Sequence, residues 1–148
     1  MLTLDTIKLE CQIQKIFLKM ISQISTYMVS MVLGIMLFFS FVVAPVTFTV
    51  LDEENARKFI RKIFPYYYTV NLIISFFILI FFIVQETFSL NFYLILAVTF
   101  LFALLNYILM PLINKYRDKN QDNKFKYSHF ISVVINFVQM LFLVVMLI

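Results

Sequence analysis

His129, Ser132, Asn136 and Gln139 recur at intervals of three, four and three within a run that holds no charged residue. On a helix turning 100° per residue the four fall within about 80° of one another. An imidazole moves a proton or ligates a metal. A hydroxyl and two amides offer hydrogen bonds and little else. Amides turned to hydrocarbon would strand their donors, so this stripe predicts a face directed at protein or water. Matching faces recur upstream: Tyr67, Asn71 and Ser75 align at i, i+4 and i+8, and Thr99, Ala103 and Asn106 at i, i+4 and i+7. The candidate interior polar residues are therefore Asn71, Ser75, Thr99, Asn106, His129, Ser132, Asn136 and Gln139. Ser30 with Gly34, and Ser40 with Ala44, form small-residue pairs that predict close approach of another helix.

No complete catalytic or metal-binding constellation accompanies them. One Cys (Cys11) and one His cannot close a zinc site, which wants four ligands, and allow no intrachain disulfide. Thioethers at Met28, Met31, Met36, Met110, Met140 and Met146 would suit Cu(I), but none lines up with His129. Methionine also fills gaps in apolar helices. No enzyme activity and no cofactor is expected, with haem or copper at His129 as the alternative. The amides read first as glue between helices. Proton-coupled transport commonly needs an ionisable group within the membrane. No Asp, Glu, Lys or Arg lies in the core of any apolar run, and His129 sits near a boundary.

The elements that must position these residues are long. Met20–Leu51, Ile63–Gln85, Thr87–Asn114 and Tyr127–Ile148 carry no Asp, Glu, Lys or Arg over 32, 23, 28 and 22 residues. About 20 apolar residues in a helix cross a hydrocarbon core of roughly 30 Å. With 63% hydrophobic residues in 148, the chain has no means of hiding its apolar side chains from water. The fold class is all-α: an integral membrane four-helix bundle with an interfacial amphipathic helix between spans one and two. Residues 1–21 read as an N-terminal amphipathic segment, and residues 22–148 as one transmembrane domain. Its spans fall at about 22–45, 65–86, 90–112 and 128–148. Pro45 and Pro111 are expected to end or kink helices, and Pro65 to open one. Asp52 suits an N-cap for the amphipathic helix, with Ala56, Phe59, Ile60 and Ile63 on one face. Tyr66, Tyr67 and Tyr68 are expected as an aromatic collar at headgroup level. Asn114–Lys126 reads as a loop.

Charge orients the bundle. The loop between spans one and two holds four basic residues, Arg57, Lys58, Arg61 and Lys62, and that between spans three and four holds five. The other side holds three, all N-terminal, so the basic loops are expected in the cytoplasm and both termini outward, in the cell inner membrane. The lysines and arginines suit membrane topology better than nucleic acid, and none is expected as a partner. The expected surroundings are the lipid bilayer, with a homo-oligomer as a further arrangement. Ala44-Pro45 and Met110-Pro111 each precede a basic stretch, followed by Phe64-Pro65-Tyr66 and Phe125-Lys126-Tyr127 respectively. Two such hairpins would form a parallel repeat.

The run Gly34, Phe38-Phe39-Ser40-Phe41-Val42-Val43-Ala44-Pro45, Phe48 and Leu51 resembles the first span of the transmembrane-protein-205-like domain of unknown function. The resemblance continues through Phe64-Pro65, Tyr67-Tyr68, Pro111, Asn114, Arg117-Asp118, Phe125, Ser128-His129, Ser132-Val133 and Asn136. It implies a small four-span membrane protein without an assigned activity. Ser128 departs from the Leu expected before the His, and residues before Tyr27 lie outside the match.

The functional expectation is a non-enzymatic bundle whose polar interior binds a small ligand, lipid or partner. A haem- or copper-handling protein using His129 and a dimeric small-molecule exporter are the alternatives.

Overall fold

A computed structural model describes the backbone of residues 4–148 and the side chains of residues 8–148. Among the described residues every element is helical: α1 (Leu4–Phe38), α2 (Ala44–Val50), α3 (Glu53–Val84), α4 (Leu90–Leu104), α5 (Met110–Asp118) and α6 (Asp122–Leu147). Two five-residue π-helical turns, Phe39–Val43 and Leu105–Leu109, splice α1 to α2 and α4 to α5. Four continuous rods result, each long and apolar enough to cross a membrane: Lys8–Val50, Glu53–Val84, Leu90–Asp118 and Asp122–Leu147. Helices are what such runs must form, because hydrocarbon offers the backbone no other partner.

The rods run longer than the charge pattern implies, and the prolines explain the difference. Pro45 and Pro111 do not end helices. Each is preceded by a π turn whose closing bond skips five residues, Ala44 N–H to Phe39 O and Met110 N–H to Leu105 O. The wider turn makes room where a proline ring would crowd the carbonyl four residues back. Pro65 lies inside α3 rather than at its start, so the amphipathic segment is not a separate interfacial helix. It forms the first turns of the second rod. Asp52 caps that rod, its carboxylate accepting from the Asn55 amide at 2.6 Å and from Asn55 N–H at 3.3 Å. Glu53–Arg57 and Glu54–Lys58 pairs of 2.7 Å brace its first turns. The Asn114–Lys126 stretch is also mostly helical, with only residues 119–121 between α5 and α6. Asn120 takes a left-handed conformation (φ 53°), and Gln121 N–H returns to Tyr116 O, closing a Schellman cap. The N-terminal segment is continuous with the first span. Residues 1–3 of it lie outside the described residues, and Leu9, Ile13, Ile16 and Phe17 leave an apolar stripe uncovered.

The rods pack in a closed ring, α1 on α3, α3 on α4, α4 on α6 and α6 on α1. Val32, Met36, Ile78, Ile95, Phe102 and Leu143 fill the centre and are wholly buried. Phe41, Phe76, Phe100, Phe130 and Phe137 point outward, each more than half exposed. An exterior more aromatic than its core is stable only in lipid. Arg117 bridges Glu53 at 3.0 Å and Arg61 bridges Asp118, so both basic loops lie at one end of the bundle. The 85–89 turn lies at the other.

Candidate functional site

The polar faces meet around Asn136. Its Oδ1 accepts from Tyr67 Oη at 3.3 Å, and its Nδ2 donates to Tyr68 Oη at 3.2 Å and to Ser132 O at 2.8 Å. Tyr67 and Tyr68 are therefore not part of a lipid-facing collar; they are 7% and 1% exposed, and only Tyr66 faces outward. Three successive helical residues point about 100° apart, so one face cannot hold all of them. Buried phenols also need partners, and Asn136 supplies them. Phe39 stacks on Tyr67 at 4.3 Å between ring centroids, and Phe64 packs on Phe39 at 5.1 Å. The first π turn thus aims Phe39 into the same cluster.

Beside this cluster, at the basic end, lies a cavity of about 640 Å³. Its floor and walls include Phe39, Phe64, Tyr67, Tyr68, Asn136 and Met140. His129 and Ser132 continue the polar stripe up one wall toward a mouth set with Glu53, Arg57, Arg61 and Arg117. Glu53 Oε1 accepts from Arg57 Nη2 at 2.7 Å and from Arg117 Nη2 at 3.0 Å. Arg117 also lies over the Phe125 ring, 4.7 Å from its centroid, and Phe125 stacks on His129 at 6.0 Å with 5° between planes. The flank is formed by Phe41 and Phe48 from the first rod and Val133 and Phe137 from the fourth. All four are more than half exposed, so the cavity opens sideways as well as at its mouth.

Among the eight interior polar candidates, only His129, Ser132 and Asn136 line this cavity. Asn71, Ser75 and Gln139 are wholly buried in the packed ring beyond it. Asn71 Nδ2 donates to Tyr67 O and Ser75 Oγ to Leu72 O, both within α3. Gln139 Nε2 crosses to Val98 O at 3.1 Å. Asn71 Oδ1 and Gln139 Oε1 have no partner among the described residues. Thr99 bonds Ile95 O in its own helix, and Asn106, in the second π turn, donates to Thr69 Oγ1 at 3.2 Å. Of the basic set, Arg57 and Arg61 reach the mouth, whereas Lys58 pairs with Glu54 and Lys62 is exposed away from it. Ser30 and Gly34 face outward, contrary to the close approach expected of them. A side chain at Gly34 would meet nothing within 4 Å, and Ser30 Oγ is satisfied by Thr26 O of its own helix. Ser40 and Ala44 instead line the cavity.

Arg117 and Tyr68 are the residues that spacing alone missed. Arg117 joins Glu53 across 64 positions, a contact no local pattern announces. Tyr68 was legible only as the third phenol of a run of three that one helix face cannot carry. Among the described residues no three His, Cys, Asp or Glu side chains gather as a metal set.

A ring of four membrane-crossing rods with a lipid-facing exterior defines a multi-pass helical membrane protein. Within that class, the chain belongs to the family described as a domain of unknown function (DUF4149), whose profile matches residues 27–122. That stretch contains both π turns and the arginines of the mouth. No curated protein and no solved structure matches the chain.

Proposed function

We propose that this is a non-enzymatic binding protein of the inner membrane that takes a small amphiphile into the cavity at its basic end. The grading of the cavity wall carries this reading. Charged side chains ring the mouth, polar ones line one side, and aromatic and thioether groups form the floor. A volume of about 640 Å³ lies within the range of small-molecule sites, roughly 300–1,000 Å³. The side opening faces the bilayer, which gives an apolar ligand a route that avoids water. The excess of lysine and arginine at this end supports a cytoplasmic mouth, with both termini on the opposite side. The resemblance to the transmembrane-protein-205-like domain belongs with this proposal; Ala44-Pro45, Tyr67-Tyr68, His129 and Asn136, which carry it, all lie at or beside the cavity.

The test is co-purification. Protein extracted in mild detergent should yield a bound amphiphile at near-stoichiometric amount by mass spectrometry of the organic extract. Val133→Trp, placed on the half-exposed flank where it fills the cavity without disturbing the core, should lose it. Equal recovery from both proteins, or none from the parent, would refute the reading.

A further inference from the structure

Resting on the binding role just proposed, we propose that the ligand is an anionic lipid headed by a terminal phosphate. Arg57, Arg61 and Arg117 hold its headgroup, and its tail enters between Phe39, Phe64 and Met140. The argument begins with where the guanidinium groups meet. Arg57 and Arg117 come from different rods, yet both direct an Nη2 at a single oxygen, Oε1 of Glu53. Two forks converging on one anionic oxygen make the geometry that a phosphate completes with its remaining oxygens. Glu53 occupies the position of that first oxygen. Its side chain is 78% exposed and free to swing aside. Arg61 stands at the same mouth, paired with Asp118, whose side chain is 59% exposed, and Arg117 has a second contact to Asp122 at 3.6 Å. Ion pairs this exposed are weak and exchange readily for a better anion.

The rim is also braced. Arg117 lies on the Phe125 ring, which lies on His129, so the guanidinium is held over the mouth and does not trail into solvent. Below the arginines the wall turns aromatic within the span. A soluble phosphate would gain nothing from that lower half. A lipid gains from both halves, and the gap flanked by Phe41 and Phe137 admits its tail from the side. Basic pockets at the headgroup level of transmembrane helices are suited to anionic lipids on these grounds.

The experiment uses the full chain in detergent micelles doped with phosphatidic acid or phosphatidylcholine, followed by native mass spectrometry, with inorganic phosphate as competitor. Phosphatidic acid should be preferred by at least about tenfold. Arg57→Gln and Arg117→Gln should each weaken it by about fivefold and leave phosphatidylcholine unchanged. Glu53→Gln, which removes the competing carboxylate, should tighten phosphatidic acid severalfold, a gain that misfolding cannot produce. Equal binding of the two lipids, with both lost in Val133→Trp, would overturn the headgroup assignment and leave the cavity reading standing. No binding of either lipid would overturn both. Displacement of phosphatidic acid by millimolar inorganic phosphate would overturn the lipid as the source of the anion.

Discussion

Replacing Asn136 with Leu tests the hub on which the polar interior is built. The substitution is close in volume and leaves α6 intact, but it removes the acceptor for Tyr67 Oη and the donor to Tyr68 Oη. Interhelical hydrogen bonds in membranes average about 0.6 kcal/mol, so losing two costs roughly 1 kcal/mol. The phenols are only 7% and 1% exposed, so their hydroxyls have at most the water of the adjoining cavity to turn to. Each stranded hydroxyl costs about 1–3 kcal/mol, less whatever relaxation recovers. Asn136→Leu should therefore destabilise the bundle by about 2–4 kcal/mol in all. Reversible unfolding in mixed micelles, followed by circular dichroism, measures it. The decisive comparison is the Tyr67→Phe, Tyr68→Phe double variant. In the parent it should cost about 1–2 kcal/mol, but in the Asn136→Leu background it should cost nothing or restore stability, because the stranded groups are gone. Strict additivity between Asn136 and the two tyrosines would refute the hub.

Gly34→Ala should raise stability by about 0.5–1 kcal/mol in the same unfolding assay, since the added methyl meets nothing and the helix gains propensity. A loss would restore the close approach that the small-residue spacing implies. Gln139→Leu should change stability by less than about 1 kcal/mol or increase it, because one bond to Val98 O is exchanged for relief of an unpartnered buried oxygen. A loss above about 2 kcal/mol would mean that Oε1 has a partner after all. Hydrogen bonds from the Asn55 amide and backbone N–H hold the Asp52 carboxyl below its usual range. Its folded pKa thus lies below the unfolded value of about 3.9, so its contribution is complete above that value and disappears as pH falls through the folded one. Amide exchange at the start of α3, corrected for intrinsic rates, should lose protection only below about pH 4. In Asp52→Ala that pH dependence should be absent.

The four spans were legible because a charge-free run of more than twenty residues has one structural outcome in lipid. Their ends were not, and proline was the reason. Read alone, Pro45 and Pro111 signal termination. The π turns that absorb them do not interrupt the charge-free runs, since Phe39–Val43 and Leu105–Leu109 hold no Asp, Glu, Lys or Arg and differ from their neighbours only by single polar residues such as Ser40 and Asn106. The hydroxyl and amides of the α6 stripe pointed inward as they require, whereas His129 at its outer end is exposed, and Asn136 joins the stripe to Tyr67 across 69 positions. Helical phase could not separate what packs from what lines a cavity. Gln139 and His129 share a face, but one is wholly buried and the other lies at the cavity wall. That difference is one of depth along α6, which helical phase does not encode. The mouth was harder still, because its defining contact joins residues from separate hairpins.

Each π turn carries one residue more than the α-helix it interrupts, and everything beyond it is rotated by about 100°. In the third rod, that offset selects which side of α5 presents Met110, Ile113 and Arg117 to the cavity. Excising a single residue there would keep every hydrophobic segment and every charge, and would still swing the guanidinium off the mouth. Of the three rods that bear a proline, the first and third share the same insertion beginning six residues before it, whereas α3 carries Pro65 without one. Frame length in these two short stretches therefore sets which side chains of α2 and α5 reach the pocket.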